Sequence, residues 1–113
     1  MLEKLEQFVL LNDFYGALLT EKQRHILKDY YENDFSLSEI ADDMNTSRQA
    51  VYDLIKRAEY QLVQYETKLG LLEKFRTTHR NLEKVCELLE HNENDTDRLK
   101  EARQILHETI ELL

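Results

Sequence analysis

Arg48 and Gln49 open a stretch with helical apolar spacing, directly after Thr46 and Ser47. From the first turn of a helix lying in a DNA major groove, arginine can bond guanine through two parallel hydrogen bonds, and glutamine can bond adenine in the same way. Tyr52, Lys56 and Arg57 follow on the outward side. Tyr52 has the chemistry to meet a base or sugar, and the two cations suit phosphate. Ser36, Ser38 and Ser47 could add phosphate contacts through hydroxyls and helix-start amides. Each of these eight residues also has a plainer role open to it. Arg48 could pair with a nearby carboxylate, Gln49 could cap its helix, and Tyr52 could pack. Capping alone accounts for Ser36 and Ser47, and a solvated helix face accounts for Lys56 and Arg57. Asp53, unfavourable near phosphate, could accept from a cytosine amine or orient Arg57 as an i,i+4 pair.

Other reactive groups carry less. His79, Glu83, Cys86 and Glu90 recur at steps of four, three and four, a spacing that could hold a divalent cation. An amphipathic helix produces such spacing easily, and no second cluster completes the coordination. His25, His91 and His107 lack partners for acid–base or nucleophilic chemistry. Two glycines could hardly build a phosphate-cradling loop. The expectation is a non-enzyme with no catalytic residues, no metal and no cofactor.

The elements that must position these residues are legible. Ser36 to Glu59, SLSEIADDMNTSRQAVYDLIKRAE, has the form of a helix, a tight turn and a second helix. Ile40 and Ala41 fall on the first helix, and Val51, Leu54 and Ile55 on the inner face of the second. Ala41 supplies the small residue that a steep helix crossing needs. Asn45 suits a turn position in the left-handed region, where it ranks next after glycine. Upstream, Leu2, Leu5, Phe8, Val9, Leu11, Phe14 and Tyr15 have helical spacing, and Gly16 marks its end. Thr20-Glu21-Lys22-Gln23 and Ser36-Leu37-Ser38-Glu39 each read as a capping box. Thr46-Ser47-Arg48-Gln49 offers a third, with either Thr46 or Ser47 as the cap. Ile26, Leu27, Tyr30 and Tyr31 form the stripe of the second helix.

Beyond the motif the pattern narrows. Val51, Ile55, Ala58, Leu62, Tyr65, Leu69, Leu72, Phe75, His79, Leu82, Cys86 and Leu89 alternate steps of mostly four and three, a heptad-like stripe. A break is expected at Gly70, which costs about 1 kcal/mol inside a helix. Asn92 to Thr96 reads as a polar turn. A last helix carrying Leu99, Ala102, Leu106, Ile110 and Leu113 folds back as an antiparallel hairpin. The stripe could serve as internal core, as the seam of a homodimer presenting two recognition helices, or as both. The expected architecture is all-α. A helix-turn-helix without a wing occupies residues 1–66, and a C-terminal helical hairpin, a possible dimerisation region, occupies 67–113.

Composition sets the remaining bounds. The chain has 113 residues, no proline and one cysteine, which excludes an internal disulfide and fits a reducing compartment. No apolar run spans a bilayer and no leader is recognisable, so a cytoplasmic protein without a membrane partner is expected. A net charge of −8 argues at first against nucleic acid. Its distribution argues otherwise. Residues 1–46 carry 4 Lys/Arg against 10 Asp/Glu, residues 47–80 carry 7 against 4, and residues 81–113 carry 4 against 9. The basic block begins at the proposed recognition helix. The acidic flanks predict moderate affinity and a modest salt slope.

The stretch from Leu19 to Leu71 resembles the YlxM-type family of small bacterial helix-turn-helix proteins. More distantly, it is similar to the fourth conserved region of sigma factors, which reads a promoter element. The specific parts are Leu19-Thr20 with Gln23-Arg24, Tyr30-Tyr31, Ser36 to Ala41, and Ser47 to Asp53. The resemblance implies a DNA-binding regulatory protein encoded beside signal recognition particle components, with a role in that pathway inferred from this neighbourhood. Asn45-Thr46 departs from the pattern, which has a glycine and an apolar residue there. Two functions remain open. One is a regulator reading duplex DNA through Arg48 and Gln49. The other is a module of the targeting pathway that engages a basic protein through its acidic helices, or a structured RNA through its basic stretch.

Overall fold

The computed structural model describes residues 2–90 and 95–113, with the side chains of residues 2 and 3 left aside. These residues form six α-helices and one 3-10 turn, with no strand among them. The helices are α1 (Leu2–Tyr15), α2 (Glu21–Tyr31), α3 (Leu37–Met44), α4 (Arg48–Leu69), α5 (Leu71–Glu90) and α6 (Thr96–Leu112), and the 3-10 turn is Gly16–Leu18. The chain divides into two compact units, residues 1–70 and 71–113. The sequence reading places the division a little earlier, after residue 66.

In the first unit α4 is the central element, packed by α1, α2 and α3. Its inner face buries Val51, Ile55, Ala58 and Leu62, against Phe8, Leu11 and Tyr15 of α1, Ile26 and Leu27 of α2, and Ile40 and Ala41 of α3. At roughly 1.5–3 kcal/mol per large apolar side chain, this shared burial is the main stabilising term of the unit. Tyr15 adds a polar tie, donating its hydroxyl to Glu66 Oε1 at 2.5 Å. A Cβ on Gly16 would lie 2.8 Å from Asn12 Oδ1 and 3.2 Å from Arg24 Cδ, so a larger residue there would require those side chains to shift. The bend after α1 therefore lets α2 approach closely.

Local chemistry explains the helix starts. Thr20 accepts from the Gln23 amide at 3.1 Å, and Gln23 accepts from the Thr20 amide at 3.1 Å. Ser36 and Glu39 repeat the exchange at 3.1 and 3.2 Å. The third start differs from expectation. Ser47 is the cap and accepts from the Ala50 amide at 3.1 Å, but alanine at that position cannot return the bond. It is a cap without a box. Asn45 takes the left-handed conformation at φ 55°, and the Thr46 amide donates to Ala41 O at 3.0 Å, which closes α3. Helix α4 ends at Gly70, φ 64°, and α5 begins at the next residue.

The second unit is the pair α5 and α6, packed on one another as a hairpin. Here the heptad reading needs correction. The buried positions are Leu72 and Val85 of α5 and Ala102 and Thr109 of α6. Asn81 bonds Thr109 Oγ1 across the pair at 3.0 Å. Leu82, Cys86 and Leu89 are exposed, as are Leu99, Leu106 and Ile110. Leu72 and Ala102 of the expected stripe are buried as read, whereas Val85 and Thr109, one position before Cys86 and Ile110, are buried in place of them, a local shift of roughly 100° around each axis. A pattern of period 3.5 marks two adjacent stripes, and packing of α5 on α6 uses one of them. Of the polar turn expected at 92–96, residues 92–94 lie outside the described residues, and Asp95 caps α6 by accepting from the amides of Asp97 and Arg98.

Candidate nucleic-acid interface

Helix α4 begins on an exposed cap and its first turn faces solvent. Arg48, Gln49, Tyr52, Lys56 and Arg57 are all exposed, while Val51 and Ile55 between them are buried. Leu37, Arg48, Gln49 and Tyr52 line a shallow depression of about 330 Å³ where the start of α3 meets the start of α4. The motif therefore gathers three of the eight expected residues directly. Ser36, Ser38 and Ser47 are exposed at the two helix starts. The hydroxyl oxygens of Ser36 and Ser47 accept capping bonds, which leaves each O–H free to donate, and the Ser36 amide is already bonded to Glu39 Oε1.

The partners of these groups decide what each can do. Among the described residues Arg48 is absent from the ion pairs, so its guanidinium is uncommitted. Gln49 Nε2 donates to Asp53 Oδ1 at 3.0 Å. That bond uses one of two amide hydrogens. The other hydrogen and Oε1 still form the donor–acceptor edge that matches adenine. Asp53 is thereby explained without Arg57: it orients Gln49, not the arginine four residues on. Lys56 leans inward, its Nζ 3.3 Å from Glu59 Oε1 and 5.4 Å from the centre of the Tyr52 ring. Its side chain remains 45% exposed.

Glu59 was not singled out from the sequence. It is 7% exposed, and burial raises its carboxyl above the usual value of 4.5, with Lys4 pulling it back down. A signal existed in its position, four residues after Ile55 and three before Leu62, on the apolar face of the helix. His79 Nδ1 pairs with Glu83 Oε1 at 3.2 Å, both well exposed. Among the described residues no group of three His, Cys, Asp or Glu side chains is arranged to hold a metal ion. No helix among them is long and apolar enough to cross a membrane.

Comparison with known proteins follows the same lines. The model of the UPF0122 family, described as "Putative helix-turn-helix protein, YlxM / p13 like", matches residues 2–105. The chain belongs to this family. A UPF0122 protein of Desulforamulus reducens is 42% identical over 112 residues, covering 97% of this chain and 96% of the relative. One from Bacillus mycoides is 47% identical over 102 residues, covering 90% and 93%. One from a Thermoanaerobacter species is 46% identical over 106 residues, covering 91% of each. The likeness thus spans both compact units, hairpin included. As a UPF0122 member the chain is an all-α helix-turn-helix protein, a family whose architecture suggests nucleic-acid binding and a non-enzymatic role.

Proposed function

We propose that this UPF0122 protein is a cytoplasmic DNA-binding regulator that reads duplex DNA with the first turns of α4. The observation that carries the reading is the exposed, unpaired Arg48 beside a Gln49 whose amide Asp53 holds. Arg48 reads guanine and Gln49 adenine, while Tyr52 and the hydroxyls of Ser36, Ser38 and Ser47 set the register on sugar and phosphate. Arg57 meets phosphate directly, and Lys56 does so on release from Glu59. The arrangement follows the logic of sigma-factor region four, a helix-turn-helix without a wing. Two such units act together when the hairpin joins two copies through Leu82, Leu89, Leu99 and Leu106.

Selection of bound duplexes from a random pool tests the reading, with wild type beside Arg48→Ala and Gln49→Ala. The expected outcome is an enriched motif in which Arg48→Ala loses about 1–3 kcal/mol of preference at one base pair and keeps its fold. Absence of enrichment at low salt would sink it.

A second reading has its own observation. Phe75, Arg76, His79 and Arg80 line a basic, aromatic depression of about 260 Å³ on α5, the chemistry that single-stranded or looped RNA requires. Under that reading the protein engages RNA or protein components of the signal recognition particle pathway. Arg76→Ala/Arg80→Ala would then abolish RNA capture, and Arg48→Ala would leave it intact.

A further inference from the structure

Helix α5 carries an exposed apolar stripe of Leu82, Cys86 and Leu89. Leu82 and Cys86 each follow by one residue a position of the packed seam, Asn81 and Val85. Ile110 of α6 follows Thr109 of the seam in the same way. On antiparallel helices that offset turns both stripes to one side, so the hairpin has a single apolar face.

The charges of α5 are sorted along its axis. Its first half, residues 71–80, carries Lys74, Arg76 and Arg80 against Glu73. Its second half, residues 81–90, carries Glu83, Glu87 and Glu90 against Lys84. With His79 neutral, a net of +2 gives way to a net of −2. The helix dipole favours the reverse order, acids at the start and bases at the end, so this sorting is unfavourable to α5 alone. Nor does α6 take it up. Among the described residues Arg76, Arg80, Glu87 and Glu90 enter no ion pair. A second α5 running the other way matches opposite charges at both ends.

Each end of the helix holds half of a site. At the basic end, Phe75, Arg76, His79 and Arg80 line the depression of about 260 Å³, with the rings of Phe75 and His79 6.0 Å apart. At the acidic end, Leu89 stands 46% exposed beside Glu90. We propose that the depression receives a second copy of this chain, seated antiparallel on α5, so that the partner's Leu89 enters it and the partner's Glu90 meets Arg76. A two-fold axis near Glu83 and Lys84 achieves this and sets Leu82 opposite the partner's Cys86, which keeps the apolar contact continuous. The like-charge contact is Glu83, which meets its own copy near the axis. His79 of the same chain lies 3.2 Å from that carboxylate. This seating rests on the dimer already proposed, to which it adds a direction and a site that each copy completes for the other. It also covers the guanidinium groups that the RNA reading needs, so dimer and RNA compete for them.

Charge reversal at each end of α5, read by sedimentation equilibrium on the full chain, tests the seating. Arg76→Glu/Arg80→Glu and Glu87→Lys/Glu90→Lys should each weaken self-association about tenfold or more while helicity is unchanged. An equimolar mixture of the two variants should recover the wild-type dimer, because every reversed end then meets its opposite. Recovery also shows that both variants are folded. A parallel dimer would weaken in neither variant, since like ends already face one another. A dimer with α5 seated on the partner's α6 would weaken without recovery in the mixture. Either result overturns the seating and leaves the dimer standing. Loss of binding to a random pool of RNA hairpins by Arg76→Glu/Arg80→Glu, with the dimer mass unchanged, assigns the depression to RNA and overturns the proposal. A wild-type monomer at high micromolar concentration sinks the dimer reading itself.

Discussion

Glu59 shows how one side chain connects stability to the recognition surface. Its carboxyl is buried on the inner face of α4 and tied to Lys56, which rests over the Tyr52 ring. Because burial raises its folded pKa above the ordinary 4.5, the folded state holds the proton more tightly than the unfolded state. The stability linked to that proton is complete below pH 4.5 and is lost as pH rises through the raised folded value. Glu59→Gln removes this titration. In urea unfolding followed across pH, the variant should gain on wild type as pH rises toward neutrality. A difference constant with pH would show that Glu59 does not titrate in this way. Arg48 and Gln49 could be picked out from residue type and position alone. Glu59 carried a weaker signal, its place on the apolar face of α4, which an acid at a solvated edge of that face would share until the packing of α1 is known.

At the scale of elements, caps and turns carry much of the definition. The long α4 starts on the Ser47 oxygen and stops on the left-handed Gly70. Ser47→Ala should cost about 1 kcal/mol by leaving the Ala50 amide without its acceptor. Gly70→Ala meets open space, so its cost is conformational alone, about 1–2 kcal/mol for a Cβ at positive φ. Chemical denaturation of both variants checks these values, and a neutral Gly70→Ala would mean the backbone relaxes. The starts at Thr20 and Ser36 and the turn at Asn45 were legible because each depends on residues within one helical turn. The missing reciprocal bond at Ser47 follows from counting three positions to Ala50. Which of two adjacent heptad stripes on α5 faces α6 was not legible, because both satisfy the same period.

For the molecule as a whole, the exposed stripe of the second unit is the unbalanced feature. Among the described residues of this two-helix pair, little is buried beyond Leu72, Val85, Ala102 and Thr109, a small core for so short a segment. Leu82, Leu89, Leu99 and Leu106 are 45%, 46%, 44% and 38% exposed, the apolar surface that a second copy would cover. Leu82→Lys/Leu106→Lys should convert a dimer to a monomer in sedimentation while helicity largely survives. Leu72, 2% exposed, is the wrong residue for that test, since a charge there would disrupt the fold. A monomeric wild type at high micromolar concentration would leave the stripe without this role.

By itself the sequence determined the all-α class, the helix starts, the turn at Asn45, the break at Gly70 and the outward set from Arg48 to Lys56. These follow from interactions spanning three or four residues, where residue type and spacing state the physics completely. Tertiary structure alone decided that Glu59 is buried, that Asp53 serves Gln49, that Lys56 leans inward, and that Val85 and Thr109 are buried in the hairpin in place of their neighbours Cys86 and Ile110. Each of those depends on which helix approaches from outside the local turn. A one-dimensional period does not encode that choice, and only the competition among packed faces settles it.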